Sequence, residues 1–353
     1  MLIATDSTFS LATANTQPCY TGGPATLVCK AAIAETRDSM TFAFEDKQGR
    51  SFDFKPGQYV TFRFEIDGKT HVRAYSMSST PTRPHNIQVT VKRTPDGLIS
   101  NYLNDTMRPG MEVEIADMSG AFNWVDLPCE KPLFLSGGSG VTPVMSMMQY
   151  ITDITLPRDV VFVHFARTPE DVIFRDQLEF MAKRFSNVTV HLVVETSDDP
   201  GFSGDIGRLS PELLQRLVPD HAERSVYMCG PEGFIKAARD AAEQVPFAGM
   251  HQESFGETIS IEEIAGTGGE VYFSMSGVHG NCETGETLLE AALNAGVWID
   301  SACQQGVCGN CKVVLTQGDV EMQDMGGLMP GEAEAGYVLA CCARPKGAVA
   351  IDA

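Results

Sequence analysis

The chain is poor in basic residues and has no long apolar run. Its 353 residues include 26 Lys and Arg against 46 Asp and Glu, which gives a formal net charge of −20. A chain this acidic is repelled by the phosphates of nucleic acids and by anionic membrane surfaces. Its apolar runs, such as VVFVHFA, are much shorter than the roughly 20 residues that cross a bilayer. We therefore expect neither a nucleic-acid partner nor a membrane partner.

Several catalytic and targeting patterns are also missing. The sequence contains no H-E-x-x-H, no G-x-S-x-G and no C-x-H with a later C-x-x-H. Neither a hydrolase nor a Rieske centre within this chain is therefore indicated. The first 25 residues lack the basic segment and the apolar core of a secretory signal. We expect a cytoplasmic protein, in which thiols stay reduced and clustered cysteines indicate metal or redox chemistry rather than disulfides.

Hydrophobic periodicity divides the chain into segments. Residues 1–25 are polar and predict an N-terminal tail. Over residues 26–126 apolar residues alternate with period two, as in YVTFRFEI, and turn signals such as TPDG recur. This pattern predicts an antiparallel β-barrel.

The pattern changes after the barrel. Over residues 127–256 buried strands such as PLFLSGG alternate with helices, one of which is predicted to begin at Ser210 and Pro211. This alternation predicts an α/β domain with a parallel sheet and helices on both faces. Residues 257–268 are polar and predict a linker. Residues 269–353 combine short strands with one helix near ETLLEAALNAG, as in a third, α+β module.

Cysteine is concentrated in the third module. Cys303, Cys308 and Cys311 have the spacing C-x4-C-x2-C, and Cys341 follows after 29 further residues. A structural zinc site more often has two C-x2-C pairs, whereas this spacing is typical of a plant-type [2Fe–2S] cluster. We therefore predict that these four cysteines bind iron. A zinc site and a set of incidental buried cysteines are the alternatives.

Residues 269–353 resemble a plant-type ferredoxin, with a β-grasp-like fold, in the segments SACQQGVCGNC and LACCARP. The resemblance identifies Cys341 as the fourth iron ligand. Cys342 is then expected to point to the other side of its strand, since neighbouring residues alternate along a strand.

Two motifs of the barrel segment, RAYSMSS at 73–79 and GLISNYL at 97–103, resemble the flavin-binding pair of the ferredoxin–NADP reductase superfamily. In that family the arginine binds the flavin diphosphate, and the tyrosine and serine lie against the isoalloxazine and near its N5. The Gly-x-x-Ser stretch cradles phosphate with backbone N–H groups. The resemblance favours FAD over FMN. It implies the following FAD-binding residues: Arg73, Ala74, Tyr75, Ser76, Gly97, Leu98, Ile99 and Ser100.

The middle segment contains GGSGVTP at 137–143, CGP at 229–231 and ESFG at 253–256, which resemble the nicotinamide domain of the same superfamily. GGSGVTP lies between a predicted strand and a predicted helix, whose N-terminus can bind pyrophosphate. The loop ARTPEDVIF offers one arginine beside two acids, and a 2′-phosphate needs a basic pocket, so NADH is favoured over NADPH. The implied nucleotide-site residues are Gly137, Gly138, Gly140, Thr142, Arg167, Cys229, Gly230 and Pro231, with Phe255 near the flavin. The candidate catalytic residues are Ser76 and Cys229.

The motif order flavin, nicotinamide, ferredoxin covers residues 26–353. It implies electron flow from NADH to FAD, then to the [2Fe–2S] cluster and then to an acceptor. Chains of this order resemble reductase components of oxygenases, and most of all those that serve Rieske-type oxygenases, including the ones that demethylate quaternary amines. The expected partner is therefore a terminal oxygenase of Rieske type. A reductase for a hybrid-cluster protein or a diiron epoxidase, and a redox sensor without turnover, are the alternatives.

The third module is the most acidic part of the chain. Residues 269–353 contain 11 Asp and Glu against 3 Lys and Arg, a net charge of −8. Such charge indicates either a docking face for a basic partner or a solvated surface, and the sequence leaves both open.

Overall fold

A computed structural model of the chain describes residues 18–66, 68–255, 266–301, 304, 306, 309–324, 327–329 and 331–353. Three groups of strands follow one another along the chain, and each has its own hydrophobic core. The predicted fold class is confirmed: an antiparallel barrel, a parallel α/β sheet and a smaller α+β module. Over these residues no helix is both long enough and apolar enough to span a membrane.

The first group is the barrel. Its elements are β1 (Cys19–Tyr20), β2 (Ala25–Thr36), β3 (Ser39–Asp46), β4 (Ser51–Phe52), β5 (Tyr59–Ile66), β6 (Lys69–Ser76), β7 (Ile87–Lys92), α1 (Leu98–Thr106) and β8 (Glu112–Ser119). Six strands form one antiparallel sheet in the order β6, β5, β8, β2, β3, β7. A bridge between Met77 and Val89 joins its two edges and closes it. Phe62 and Phe64 of β5 are both buried, as the period-two pattern predicts.

Part of the predicted tail lies against the barrel. The short strand β1 pairs in parallel with β4. Tyr20 is fully buried, with its ring centroid 6.1 Å from that of Phe52. Because residues 1–25 are mostly polar, the sequence does not predict that Tyr20 is buried. Residues 1–17 lie outside the described residues.

The second group is a parallel sheet. Its elements are β9 (Pro132–Gly137), α2 (Val141–Asp153), β10 (Val160–Ala166), α3 (Arg175–Arg184), β11 (Val188–Val194), β12 (Asp205–Ile206), α4 (Pro211–Leu217), β13 (Ser225–Pro231), α5 (Glu232–Ala242) and β14 (Gly249–Phe255). The strand order is β12, β11, β10, β9, β13, β14. Because the order changes direction at β9, the carboxyl ends of β9 and β13 border the crevice in which such sheets bind ligands.

Helices cover both faces of this sheet, as the strand and helix alternation predicts. Residues of α2 and α3 share a core with Phe134, whereas residues of α4 and α5 share a core with its neighbour Leu135. Adjacent strand residues point to opposite faces, so the two cores lie on opposite sides. Helix α4 begins as predicted: the Ser210 side chain accepts a hydrogen bond from the Leu213 N–H at 3.2 Å, and Pro211 is the first helical residue.

The barrel and the parallel sheet meet at α2. The Ser146 hydroxyl donates a hydrogen bond to the Ser79 carbonyl oxygen at 2.5 Å, and the Gln149 amide donates to the Ser78 carbonyl oxygen at 3.3 Å. Trp124, which follows the barrel, is buried in the α2 core. The end of the RAYSMSS motif is thus fixed against the helix that follows GGSGVTP.

The third group is a mixed sheet with one helix. Its elements are β15 (Gly269–Phe273), β16 (Val278–Cys282), α6 (Leu288–Asn294), β17 (Lys312–Gln317), β18 (Val320–Met322), β19 (Tyr337–Leu339), β20 (Ala343–Pro345) and β21 (Val349–Ile351). Five strands pair in the order β16, β15, β21, β17, β19, and β18 pairs with β20. A capping box between Thr287 and Glu290 starts α6. The predicted linker lies outside the described residues except for 266–268.

Candidate active site and metal centre

The flavin motif forms the end of β6. Its residues Arg73 to Ser76 pair with Phe62 to Tyr59 of β5. Tyr75 is half-buried with its ring 6.1 Å from the Phe62 ring. Burial raises the pKa of the Tyr75 hydroxyl, so this group stays neutral at physiological pH. The exposed Arg73 guanidinium suits the diphosphate of a flavin, and the neutral Tyr75 ring suits its ring system.

Ser76 meets the parallel sheet at the end of its own strand. The Ser76 hydroxyl donates a hydrogen bond to Glu253 Oε2 at 3.3 Å. Glu253 is the register partner of Cys229 on the adjacent strand. Burial, and secondarily the Glu253 carboxylate, raise the pKa of the Cys229 thiol well above its usual range, so Cys229 is a neutral thiol. The two candidate catalytic residues therefore lie on either side of one carboxylate.

The sequence reasoning missed Glu253. It belongs to the ESFG segment, in which the resemblance implies only Phe255 as a site residue, and its position opposite Cys229 requires the strand register of β13 and β14. Phe255 is the last residue of β14, and its side chain lies outside the described part of the structure.

Gly97 and Ser100 form the turn that starts α1. Gly97 is the N-cap residue and Leu98 the first helical residue. A side chain on Gly97 would come within 2.6 Å of Ser100 Oγ, because that hydroxyl lies under the turn and accepts a hydrogen bond from the Thr94 N–H at 3.1 Å. No acidic residue occupies the first turn of α1. The resulting helix N-terminus, with Ile99 in its first turn, has free backbone donors suited to a phosphate group.

The nucleotide motifs also come together. Gly137 ends β9, Gly138 to Gly140 form a turn, and Thr142 lies in the first turn of α2. A Cβ atom on Gly140 would lie 2.2 Å from the Cys229 carbonyl oxygen. Only glycine therefore allows the GGSGVTP turn to approach the CGP strand, in which Gly230 and Pro231 are the last residues of β13. This cradle lies at the crevice expected for a dinucleotide.

Arg167 is engaged in ion pairs at the junction with the barrel. Its guanidinium lies 3.2 Å from Asp38 of the barrel and 3.3 Å from the buried Asp171. Asp38 also lies 3.5 Å from Lys92. The arginine that the sequence assigns to the nucleotide site thus also joins the barrel to the nicotinamide domain.

Two of the four predicted iron ligands lie side by side. The Cys341 N–H donates to Cys311 Sγ at 3.5 Å, and both side chains are buried. Cys303 and Cys308 lie outside the described residues. The neighbouring Gly306 accepts a hydrogen bond from the Gly327 N–H at 3.0 Å. Buried thiols brought together in a glycine-rich loop are a donor set that suits an iron–sulfur cluster.

The expectation that Cys342 follows Cys341 along a strand is wrong. Both residues lie in the turn between β19 and β20, because the Cys342 N–H donates to the Leu339 carbonyl oxygen at 3.0 Å and closes that turn. The Cys342 thiol points back to the same carbonyl at 3.6 Å. The turn, and not strand alternation, separates the two sulfur atoms.

Comparison with known families assigns each module. An oxidoreductase FAD-binding domain matches residues 24–124, an oxidoreductase NAD-binding domain matches residues 134–240, and a 2Fe-2S iron-sulfur cluster binding domain matches residues 273–346. The predicted cofactors, FAD, a nicotinamide nucleotide and a [2Fe–2S] cluster, are thereby confirmed. The fold and these sites define the chain as an NAD(P)H-dependent iron–sulfur flavoprotein reductase.

Similar proteins narrow this class. The chain is 38% identical over 343 residues to the glycine betaine monooxygenase reductase subunit of Pseudomonas aeruginosa, covering 92% of this chain and 94% of that one. It is 35% identical to the stachydrine N-demethylase reductase subunit Stc4 of Rhizobium meliloti, covering 93% and 96%. The solved structure of phthalate dioxygenase reductase, described as modular for electron transfer from pyridine nucleotides to [2Fe-2S], matches with a TM-score of 0.71 at 25% identity, covering 94% and 98%.

The chain therefore belongs to the family of oxygenase reductase components that combine a flavin barrel, a nicotinamide domain and a [2Fe–2S] domain. It passes electrons from the reduced nicotinamide nucleotide through FAD and the cluster to an oxygenase partner.

Proposed function

We propose that the oxygenase partner is of Rieske type and that the pair demethylates a quaternary amine. The observation that supports this proposal is the similarity over nearly the full length to reductase subunits named for glycine betaine and stachydrine. Both compounds contain a fully substituted, cationic nitrogen. Such a nitrogen has no lone pair, so an N-methyl C–H bond must be attacked by an activated oxygenase that receives its electrons from a reductase.

The residues near the flavin have separate roles in this proposal. Bound FAD supplies the conversion of a two-electron hydride step into one-electron steps. Arg73 and the backbone donors of Gly97 to Ser100 would bind its phosphates, with the backbone of Ala74 next to Arg73 on the same strand. Tyr75 would hold the ring system. Glu253 accepts the hydrogen bond of the Ser76 hydroxyl and so would orient the Ser76 oxygen beside the reacting edge, and Cys229 would contribute a neutral surface for the nicotinamide.

We also propose that NADH is the physiological reductant. Arg167 already faces two carboxylates, Asp38 and Asp171. The adjacent segment after β11 adds Glu195, whose N–H donates to the Ala166 carbonyl oxygen at 3.1 Å. These carboxylates also pair with Arg37, Lys92 and Arg208, so a 2′-phosphate would have to compete with a carboxylate for each of these cations. The 2′-hydroxyl of the NADH ribose can instead donate a hydrogen bond to a carboxylate.

The acidic side chains of the third module do not act as one surface. Glu286 and Glu290 accept hydrogen bonds from the turn and from the first turn of α6, so two of the eight acidic side chains that could form a docking face are engaged in local structure. The others are Glu283, Asp319, Glu321, Asp324, Glu332 and Glu334. Asp324 accepts a hydrogen bond from the Gly327 N–H at 2.8 Å, and Glu332 pairs with Lys312 at 2.6 Å. We place the docking face around the exposed Glu334, because Gly327 contacts Gly306 of the cysteine loop, residues 303–311, and Met329 is 67% exposed.

Salt dependence tests this docking face. Charge of one sign steers a basic partner and raises the encounter rate, and screening sets in at about 10 Å in 0.1 M salt. Electron transfer to the oxygenase should slow steeply with salt, and Glu334→Gln should weaken that dependence. Glu283→Gln, near the linker, is the matched control and should leave it unchanged. A salt-independent transfer step would mean that the acid is only a solvated surface.

The proposal of Rieske-type demethylation is tested by reconstitution. The FAD- and cluster-loaded protein is mixed with a purified Rieske-type oxygenase and glycine betaine or stachydrine, and NADH oxidation and formaldehyde release are followed. We expect the two to be coupled. Efficient reduction of a hybrid-cluster protein or a diiron epoxidase, with no reduction of the Rieske oxygenase, would favour the alternative acceptors. A failure to reduce even cytochrome c would favour a redox sensor.

The domain boundaries at 126, 256 and 268 and the cytoplasmic location remain part of this proposal, whereas the predicted boundary at 25 is replaced by a barrel that includes β1. The location is supported by the requirement for NADH and for reduced cysteine ligands.

A further inference from the structure

We propose that Tyr59 and Arg73 of the barrel form a two-point latch that holds the cysteine loop of the [2Fe–2S] module against the flavin strands. The latch is made with Asn310 and Gln304, which flank predicted iron ligands in the sequence. It rests on the proposed roles of the flavin and iron sites, and it goes beyond them by naming the residues that set the geometry of the internal electron-transfer step.

The first point of the latch is the Tyr59 hydroxyl. The Asn310 side-chain amide donates to Tyr59 Oη at 2.6 Å, and the Ser119 hydroxyl donates to the same oxygen at 2.9 Å. Tyr59 pairs with Ser119 on one side and with Ser76 on the other. Its ring is 6% exposed, so the hydroxyl is presented from a fixed position in the sheet. Asn310 directly precedes the buried ligand Cys311.

The second point is the Arg73 guanidinium. Its Nη1 donates to Gln304 Oε1 at 2.5 Å and to the Val72 carbonyl oxygen at 2.7 Å. Gln304 directly follows Cys303 in the sequence and has a positive φ of 55°, a conformation that side chains other than glycine, asparagine and aspartate rarely adopt. A guanidinium has five N–H donors. Arg73 can therefore bind Gln304 and still offer donors to the flavin diphosphate.

Both points lie on one pair of strands. Tyr59 and Arg73 belong to β5 and β6, and their own register partners are Ser76 and Phe62. The latch therefore connects the two ends of the cysteine loop to the strands that contain the flavin motif. Holding two reacting groups in a fixed relation converts an encounter between modules into an internal step. Since the modules are joined by a polar linker, these contacts decide how long the loop stays in place.

Single substitutions can remove the latch contacts while leaving the fold of each module intact. Tyr59→Phe removes the acceptor hydroxyl and keeps the buried ring. Asn310→Ala removes the donor. Gln304→Asn keeps a residue that tolerates positive φ and shortens the side chain so that it no longer reaches Arg73. Tyr272→Phe is the matched control. It removes the same hydroxyl group from a partly exposed tyrosine of the [2Fe–2S] module, whose ring stacks on His279.

Stopped-flow spectroscopy of the loaded protein with NADH measures two internal steps. We expect the flavin-to-cluster step to slow about threefold to tenfold in each of the three variants, the factor that corresponds to one net hydrogen bond. The NADH-to-flavin step and the spectrum of the oxidised cluster should be unchanged. Tyr59→Phe combined with Asn310→Ala should be no slower than either alone, because both remove the same bond.

Hydrogen exchange gives a readout that does not depend on turnover. Amides of residues 309–317 should exchange faster in the latch variants than in the wild type and in Tyr272→Phe. Unchanged exchange together with an unchanged flavin-to-cluster rate would overturn the proposal. An altered cluster spectrum, or equal slowing of both internal steps, would also overturn it, since either would indicate a distorted site. No oxygenase is used, so failure of the proposed partner leaves this test intact.

Discussion

Ser76 of the barrel and Glu253 of the parallel sheet are joined by a hydrogen bond of 3.3 Å. The two residues are far apart in the sequence and belong to different domains, yet this bond lies where the flavin motif meets the strand next to Cys229. A hydroxyl held by a carboxylate has a fixed orientation. The contact therefore links the predicted flavin site to the predicted nicotinamide site.

Ser76→Ala should slow hydride transfer from NADH to the flavin by roughly 10²-fold, in the range for removal of one positioned polar group at the reacting edge, with little change in FAD affinity. Glu253→Gln keeps an acceptor of the same shape and should have a smaller effect. Stopped-flow reduction and FAD titration measure the two quantities. Equal hydride rates in the wild type and Ser76→Ala would show that the hydroxyl does not act at the reacting edge.

The fourth iron ligand can be assigned by substitution. Cys341→Ala should abolish the visible spectrum of the cluster, because Cys341 lies against Cys311. Cys342→Ala should leave the spectrum intact, because that thiol is directed to the Leu339 carbonyl. Iron and acid-labile sulfide are measured in both purified variants. If Cys342→Ala loses the cluster and Cys341→Ala retains it, the assignment must be reversed.

The choice of reductant is a separate prediction. The kcat/KM for NADH should exceed that for NADPH, because Asp171 and Asp38 surround the one arginine of the loop after β10. Steady-state kinetics with both nucleotides under one set of conditions measures the ratio. A preference for NADPH would mean that Arg167 leaves its carboxylates to bind a 2′-phosphate.

His164 should make the stability of the nicotinamide domain depend on pH. It is fully buried beside Ser136. Burial, and secondarily Lys92, lower the pKa of His164 to about 3, whereas an unfolded histidine has a pKa of about 6.5. As the pH falls, the unfolded chain therefore binds a proton at His164 before the folded chain does. The stability of the folded domain that is present above about pH 6.5 is lost as the pH falls toward about 3.

The melting temperature measured between pH 7 and pH 4.5 tests this dependence. It should fall more steeply with decreasing pH in the wild type than in His164→Gln. The exposed His279 supplies the control, His279→Gln, which should retain the wild-type slope. Parallel slopes in all three proteins would show that His164 is not held neutral by the fold.

The sequence predicts a functional site well when its residues are close together along the chain. One cluster requires thiolates at short spacings, so the sequence predicts Cys303, Cys308 and Cys311. One short strand motif contains both Arg73 and Ser76, so the sequence predicts these two residues as well. Tyr59 and Asn310 are 251 residues apart. No short-range pattern encodes such a contact, which arises only when separately folded modules pack together.

The sequence pattern also fails to predict the position of some individual residues. Tyr20 is a core residue in a polar stretch, since one aromatic ring is enough to anchor a two-residue strand. The sequence predicts Cys342 on a strand, because residues of an extended chain alternate in direction, whereas a backbone hydrogen bond to Leu339 makes a turn there. Local hydrogen bonds of this kind leave no periodic signal.

The central claim is that electrons move through this one chain from NADH to FAD, then to the cluster, then to an oxygenase. Sequential anaerobic mixing tests it most directly: the loaded protein is mixed with NADH, then with oxidised oxygenase, while flavin and cluster absorption are recorded separately. We predict that the flavin is reduced first, the cluster second, and that the oxygenase then reoxidises the cluster before the flavin. Reduction of the cluster without prior flavin reduction, or a cluster that stays reduced in the presence of the oxygenase, would contradict the account.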